Sequence, residues 1–212
     1  MPDALLGHKT VLVFGGSFDP PHRAHVALPQ QAARAIGADL VAYVPAGRAP
    51  HKLDRVQTDP RHRVAMLRLA LAAAPSDIDS VILTDEVDRG PSEPSYTVDT
   101  LEHLSRRIDD GATLRLLIGA DQLRIFDSWR EPERIVQLAE PVVMVRPPDT
   151  RDTLLDALPE DLRDAWSSRL VSVDQRDISS TAIRERIAEG LPIDEWVAES
   201  VAEYIDEHGL YR

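Results

Sequence analysis

The chain has 212 residues, long enough for one sizeable α/β core, and two ordinary domains are not the default at that length. Hydrophobic residues at 43% and charged residues at 28% are ordinary for a soluble globular protein, and no apolar run approaches the roughly 18 residues needed to span a bilayer. No cysteine is present, which excludes disulfides, thiolate metal sites and cysteine nucleophiles.

Residues 1–9 lack the long apolar stretch of a secretory signal, and a cytoplasmic protein is the simplest expectation. The formal net charge of −12 argues against a nucleic-acid surface, because such surfaces are basic. A polyanionic ligand is compatible with that charge only where positive potential is concentrated in a cleft.

In chain order, the first apolar run, Val11–Phe14, leads into Gly15-Gly16-Ser17-Phe18-Asp19-Pro20-Pro21-His22-Arg23-Ala24-His25, and an amphipathic segment continues to Ile36. That order predicts a buried strand, a glycine turn and a helix from about His25 to Ile36. Further strands are predicted at Leu40–Val44, Val81–Leu83, Leu114–Ile118, Val142–Val145 and Leu170–Val173. Helical spacing lies between them at Pro60–Ala74 and Thr97–Ile108, and short helices are predicted across Asp149–Trp166. After the last strand, Thr181–Glu189 and Asp194–His208 have helical patterns. Alternation of strand and helix predicts an α/β fold: a Rossmann-like, mostly parallel sheet, helices on both faces and a C-terminal helical segment. A single domain over 1–212 is expected, its sheet core at about 10–175 and its closing helices at about 179–208.

In an open parallel sheet, ligands gather beyond the carboxyl ends of the strands. Gly15–His25, Pro45–Lys52, Gly119-Ala120-Asp121 and Asp177–Arg184 all fall at such ends. Adjacent glycines allow backbone N–H groups to approach an anion, and a following helix adds its positive dipole end. A glycine pair alone is a weak sign, since turns need glycine anyway; the spaced-glycine dinucleotide fingerprint and the Walker loop are absent. His22 and His25 strengthen it, because imidazoles donate hydrogen bonds to charge developing on a phosphate. Their bland alternative is a helix cap and a packed core ring; a zinc site from the pair lacks further ligands.

Ser179, Ser180 and Thr181 supply hydroxyls and N–H groups at a helix start, and Arg184 lies four residues after Ser180 on the same face. An ordinary serine cap beside a solvated arginine is the alternative. His51 and Lys52, on a proline-bounded loop, are candidates to clamp phosphate or else are simply solvated. Trp129, just past a strand end in a polar neighbourhood, suits stacking on a flat heterocycle. Trp166 and Trp196 lie in helical patterns and are expected to pack. Ser95 or Thr97 could cap the helix that Pro94-Ser95-Tyr96-Thr97 opens.

Together these segments resemble the bacterial nicotinate-mononucleotide adenylyltransferases, of the nucleotidyltransferase superfamily with an HxGH-type signature. Gly15–His25 is similar to that signature and Ile178–Arg184 to the family's second motif, SxTxxR. Pro50-His51-Lys52, the stretch Pro94–Leu101 and Gly119-Ala120-Asp121 through Trp129 resemble its further blocks, so the likeness runs from about Val11 to Arg184. Two positions depart from it: Ala24 where the signature has glycine, and Ala49 where the loop usually has proline.

The resemblance implies transfer of an adenylyl group from ATP to nicotinate mononucleotide, giving the dinucleotide and pyrophosphate in NAD biosynthesis, with Mg²⁺ carried on the phosphates. It implies that His22, His25, Lys52 and Arg184 hold the triphosphate and steady the leaving pyrophosphate. Gly15, Gly16, Ser17, Phe18, Gly119, Asp121, Ser179, Ser180 and Thr181 would line the ATP side, and Thr97, Trp129, Arg130 and His51 the mononucleotide side. Alternatives are a phosphopantetheine-type or nicotinamide-preferring transferase, or a non-catalytic nucleotide sensor for which Ala24 is the only argument. Neither a nucleic acid nor a membrane is expected as a partner, and oligomeric state is not legible.

Overall fold

The computed structural model describes residues 3–47, 57–74, 76–89, 94–145, 147–158, 160–174 and 178–212. Six strands form one sheet in the order β3-β2-β1-β4-β5-β6: β1 (Thr10–Gly16), β2 (Leu40–Pro45), β3 (Asp79–Ile82), β4 (Thr113–Gly119), β5 (Ala139–Val145) and β6 (Leu170–Ser172). All six predicted strands are present. The order reverses at β1, as in doubly wound nucleotide-binding sheets.

The chain packs as two compact units, one of residues 1–14, 28–42 and 96–175, the other of 15–27, 43–95 and 176–212. In the first, β1 pairs with β4, β4 with β5 and β5 with β6, all parallel, in registers such as Val11↔Leu114, Leu117↔Val142 and Val143↔Leu170. β5 is buried at every position except Glu140. Such unbroken apolar runs are what strands covered on both faces require. Among the described residues, its helices include α4 (Thr97–Ser105), α5 (Ala120–Leu123), α6 (Pro132–Leu138), α7 (Arg151–Asp156) and α8 (Glu160–Ser167). The expected short helices across Asp149–Trp166 are therefore α7 and α8. Trp166 is buried, as expected.

The second unit holds β3, α2 (Pro60–Ala72), α3 (Asp85–Asp88), α9 (Ser180–Ala188) and α10 (Glu199–Glu207), and α1 (Arg23–Ile36) starts in it. Its apolar core joins Val26, Met66, Ala70, Ile183, Ile193, Val197, Val201 and Ile205. Asp59 caps α2 by accepting the Arg61 N–H at 2.8 Å, with Pro60 at the first helical position, where its missing N–H costs nothing.

Several helix boundaries differ from the sequence expectation, and three of the differences have a visible cause. α1 starts at Arg23, two residues early, because the His25 ring accepts the His22 N–H and caps it. α4 ends at Ser105, where the Arg107 N–H turns back to Leu104 O in a tighter turn. α10 starts at Glu199 rather than Asp194. The carbonyls of Asp194 and Trp196 accept from the Arg23 guanidinium (3.2 Å) and N–H (2.9 Å), so they are not available to a continuing helix. Among the described residues, no helix is long and apolar enough to cross a membrane.

Candidate active site

In the second unit, Gly15 and Gly16 close β1. A Cβ at Gly15 would meet nothing within 4 Å, whereas one at Gly16 would come within 2.9 Å of the Phe18 ring. Phe18 is buried against that glycine and takes a left-handed backbone, φ +50°, which disfavours any residue with a Cβ by about 1–2 kcal/mol. The loop from Ser17 to Pro20 is gripped by side chains. Its Ser17, Asp19 and Pro20 carbonyls accept from Arg63 Nη1 (2.6 Å), Arg184 Nη1 (2.6 Å) and Ser180 Oγ (2.8 Å).

His22 and His25 stand at the entry to α1 with their rings stacked, centroids 3.6 Å apart and planes 23° from parallel; the Phe18 ring meets His25 edge-on at 5.1 Å. His25 Nδ1 accepts the His22 backbone N–H at 3.2 Å. A nitrogen that accepts carries no proton, so the neutral ring bears its hydrogen on Nε2, where it is a donor. Capping and donation are thus compatible: one nitrogen closes the helix and the other can address an anion. Ala24 lies inside α1 and is buried, with no positive φ, so the methyl group meets no backbone penalty there.

At the start of α9, Ser179 is an ordinary N-cap, accepting the Ala182 N–H at 3.1 Å. Ser180 and Arg184, one helical turn apart, both reach the β1 loop, and Arg184 Nη2 also donates to Thr181 Oγ1 at 3.3 Å. Arg184 is therefore not a solvated surface arginine. His51, Lys52 and Ala49 lie outside the described residues.

In the first unit, Gly119 ends β4 and precedes α5, where Asp121 is exposed and accepts from Gln122 Nε2 at 2.8 Å. A Cβ at Gly119 would come within 2.6 Å of Asp121 Oδ1. Trp129 is half-buried on Phe126, centroids 5.4 Å apart, and its indole Nε1 is buried with no hydrogen-bond partner among the described residues. Thr97 is the first residue of α4 and Tyr96 its N-cap, which makes no side-chain cap. The Arg130 guanidinium lies over the Tyr96 ring at 4.9 Å, beside Asp99 (3.6 Å) and Glu131 (3.5 Å).

Two residues that the sequence did not single out are prominent around the β1 loop. Arg63 is fully buried; its Nε and Nη2 donate to Thr58 O (3.0 Å) and Ala46 O (2.8 Å), besides the bond to Ser17. Burial draws its pKa below the ordinary value, opposed chiefly by the Asp19 carboxylate. The Tyr211 hydroxyl donates to Asp19 Oδ1 at 2.7 Å, and burial pushes its pKa far above that of a free phenol. A signal for Arg63 was present: it shares the buried face of α2 with Met66, Leu67 and Ala70. A charged residue in an apolar stripe implies a partner inside.

The cytidylyltransferase-like family model matches residues 13–186. A protein of Roseiflexus sp. strain RS-1, named probable nicotinate-nucleotide adenylyltransferase, is 41% identical over 94% of this chain and 96% of its own length. One of Bacillus pumilus with the same name is 34% identical over 96% and 99%. Among solved structures, the nicotinic acid mononucleotide adenylyltransferase of Plasmodium falciparum complexed with NaAD superposes with a TM-score of 0.71. It covers 96% of this chain and 98% of its own at 20% identity, a likeness of fold. By sequence, the chain belongs to the nicotinate-nucleotide adenylyltransferase family.

Proposed function

We propose that this chain joins ATP and nicotinate mononucleotide to give nicotinate adenine dinucleotide and pyrophosphate, a step of NAD biosynthesis. An oxygen of the mononucleotide 5′-phosphate bonds to the α-phosphorus of ATP while the bond from that phosphorus to the bridging oxygen breaks, and pyrophosphate leaves with the electron pair. A phosphate monoester has a second pKa of about 6 and is mostly a dianion at neutral pH, so no protein base is required. Catalysis is then positioning plus stabilisation of charge on the leaving group.

The observation that carries the reading is the stacked His22–His25 pair beside the glycine pair at the end of β1, with His25 holding its neutral proton on Nε2. In the proposal His22, His25, Lys52 and Arg184 bind the triphosphate, and Gly15, Gly16, Ser17, Phe18, Ser179, Ser180 and Thr181 supply backbone and hydroxyl contacts. Gly119 and Asp121 serve the adenosine. Thr97, Trp129, Arg130 and His51 serve the mononucleotide.

Mg²⁺ belongs to the proposal as a passenger on the ATP phosphates, whose charge it would offset. The donors around the β1 loop are N–H, imidazole and guanidinium groups, which suit phosphate oxygens, while the Asp19 carboxylate is engaged by Tyr211 and Thr58. That donor set fits an ion brought in by the nucleotide rather than caged by the protein. A cytoplasmic location and action as one domain complete the proposal.

The test is pyrophosphate release from ATP with nicotinate mononucleotide, nicotinamide mononucleotide and phosphopantetheine offered in turn. Turnover with the first well above the others supports the reading. Turnover with phosphopantetheine alone, or ATP binding without turnover, overturns it.

A further inference from the structure

The strain at Phe18 raises the question of what holds the β1 loop in its form. Arg63 answers for one end: its planar fork spans the carbonyls of Ser17, Ala46 and Thr58 at 2.6, 2.8 and 3.0 Å. Those three carbonyls come from the β1 loop, the end of β2 and the approach to α2. A lysine would offer a point charge in place of that fork. Ala46 returns the link, its N–H donating to Gly16 O at 2.9 Å.

Tyr211 answers for the other end. Its hydroxyl holds Asp19 Oδ1 at 2.7 Å, while the Thr58 N–H reaches Oδ2 at 3.4 Å. Thr58 is thus a shared node, with its carbonyl on Arg63 and its N–H on Asp19. Tyr211 itself sits at φ +65°, so two of the chain's left-handed residues with a Cβ, Phe18 and Tyr211, flank this one network. Unfavourable backbone persists where the surroundings over-determine it, and such places gather at functional sites.

We propose that Arg63 and Tyr211 are positioning residues for adenylyl transfer: without touching substrate, they hold residues 17–20 so that this loop and the adjoining histidine pair face the nucleotide phosphates. The inference rests on the proposed function. In a trans peptide the carbonyl and the following N–H point in opposite directions, so Arg63, by holding Ser17 O, directs the Phe18 N–H to the other side. Asp19 is the lever for Tyr211, because its carbonyl is also the acceptor for Arg184.

The experiment uses the full chain and three variants, Tyr211→Phe, Arg63→Lys and, as control, Tyr204→Phe. Tyr204 bonds His62 Nδ1 at 2.9 Å and, among the described residues, makes no hydrogen bond to residues 17–20. Steady-state adenylyl transfer from ATP to nicotinate mononucleotide is measured beside amide hydrogen exchange over residues 14–20 without ligand. Tyr211→Phe, which removes one oxygen, is expected to lower kcat between about 10- and 100-fold, the cost of a misplacement of up to about 1 Å. KM for the mononucleotide should stay within about twofold, since it is the ATP side that is displaced. Exchange over 16–20 should accelerate. Arg63→Lys should do the same or more, and Tyr204→Phe neither.

Wild-type kcat in Tyr211→Phe, unchanged exchange over 16–20, or an equal loss in Tyr204→Phe overturns the inference. If Arg63→Lys fails to fold, Tyr211→Phe decides alone. If the wild-type chain transfers no adenylyl group, the proposed function fails, and the exchange measurement still decides whether the two residues hold the loop.

Discussion

The two glycines that end β1 are adjacent in sequence but face different surroundings, and replacing each by alanine separates loop packing from ligand contact. At Gly16 the new methyl carbon would sit 2.9, 3.1 and 3.3 Å from three atoms of the Phe18 ring. That ring cannot retreat freely, because Phe18 is 1% exposed and packed against Tyr43 and His25. Overpacking of this kind costs about 1–3 kcal/mol. For a chain of this size each kcal/mol moves Tm by about 2–4 °C, so Gly16→Ala should melt roughly 2–12 °C below wild type. At Gly15 nothing lies within 4 Å and φ is not left-handed, so alanine there meets open space. Restricting the unfolded chain should leave Gly15→Ala as stable as wild type or up to about 1 kcal/mol more so. Thermal unfolding followed by circular dichroism without ligand gives the two Tm values, and the KM for ATP gives the second readout. If Gly15 borders the nucleotide, Gly15→Ala raises that KM while its Tm holds. A Gly16→Ala chain that melts with wild type, or a Gly15→Ala chain that melts as low as Gly16→Ala, would refute the reasoning.

His25→Ala should lower kcat by on the order of 10²–10³ with a smaller effect on ATP binding, as for loss of a donor aimed at developing charge; a raised KM with intact kcat is the contrary result. Arg184→Lys should impair turnover clearly, because one ammonium cannot replace the fork that spans Asp19 O and Thr181 Oγ1, and full activity would speak against the role. Nicotinate mononucleotide should be preferred over the amide by its specificity constant, and Trp129→Ala should weaken binding of either by about 1–3 kcal/mol; equal constants for acid and amide would sink the first claim. Asp39 is partly desolvated, which raises its pKa, but its oxygens accept the Lys9 and Thr10 N–H groups, each at 2.9 Å, and the net shift is downward. A carboxylate depressed on folding adds stability above its unfolded pKa and loses it as pH falls through the folded one. The stability gap between wild type and Asp39→Ala should therefore shrink as pH falls below about 4, and a gap that does not change with pH would contradict the linkage.

The strands were legible as short apolar runs, and Leu40–Pro45, buried at every position, is the clearest case. Helices with a full apolar face, such as α2, were legible for the same reason. α3 and α5 span four residues each and leave too short a pattern to read. The false start of α10 came from a contact 171 positions away, where Arg23 takes the Asp194 carbonyl, and no local spacing records that. At the candidate site, the motif residues could be named from the chain because their types carry chemistry. Arg63 left a trace only as a charge in the apolar face of α2, while the task of Tyr211, a bond to a side chain 192 positions away, leaves no local pattern. Ser179 illustrates the reverse, a motif residue whose visible task is a routine cap.

The bond between Tyr211 and Asp19 closes a span of 192 positions. Local turns and helices form early at low entropic cost, whereas so long a closure comes late and depends on most of the chain being in place. During synthesis, then, the sheet around β1 can assemble while the loop at its end is still unlatched, and the latch arrives only with the 211th residue. A nascent or truncated chain that stops short of it has its histidine pair but not the tie that fixes the neighbouring carboxylate.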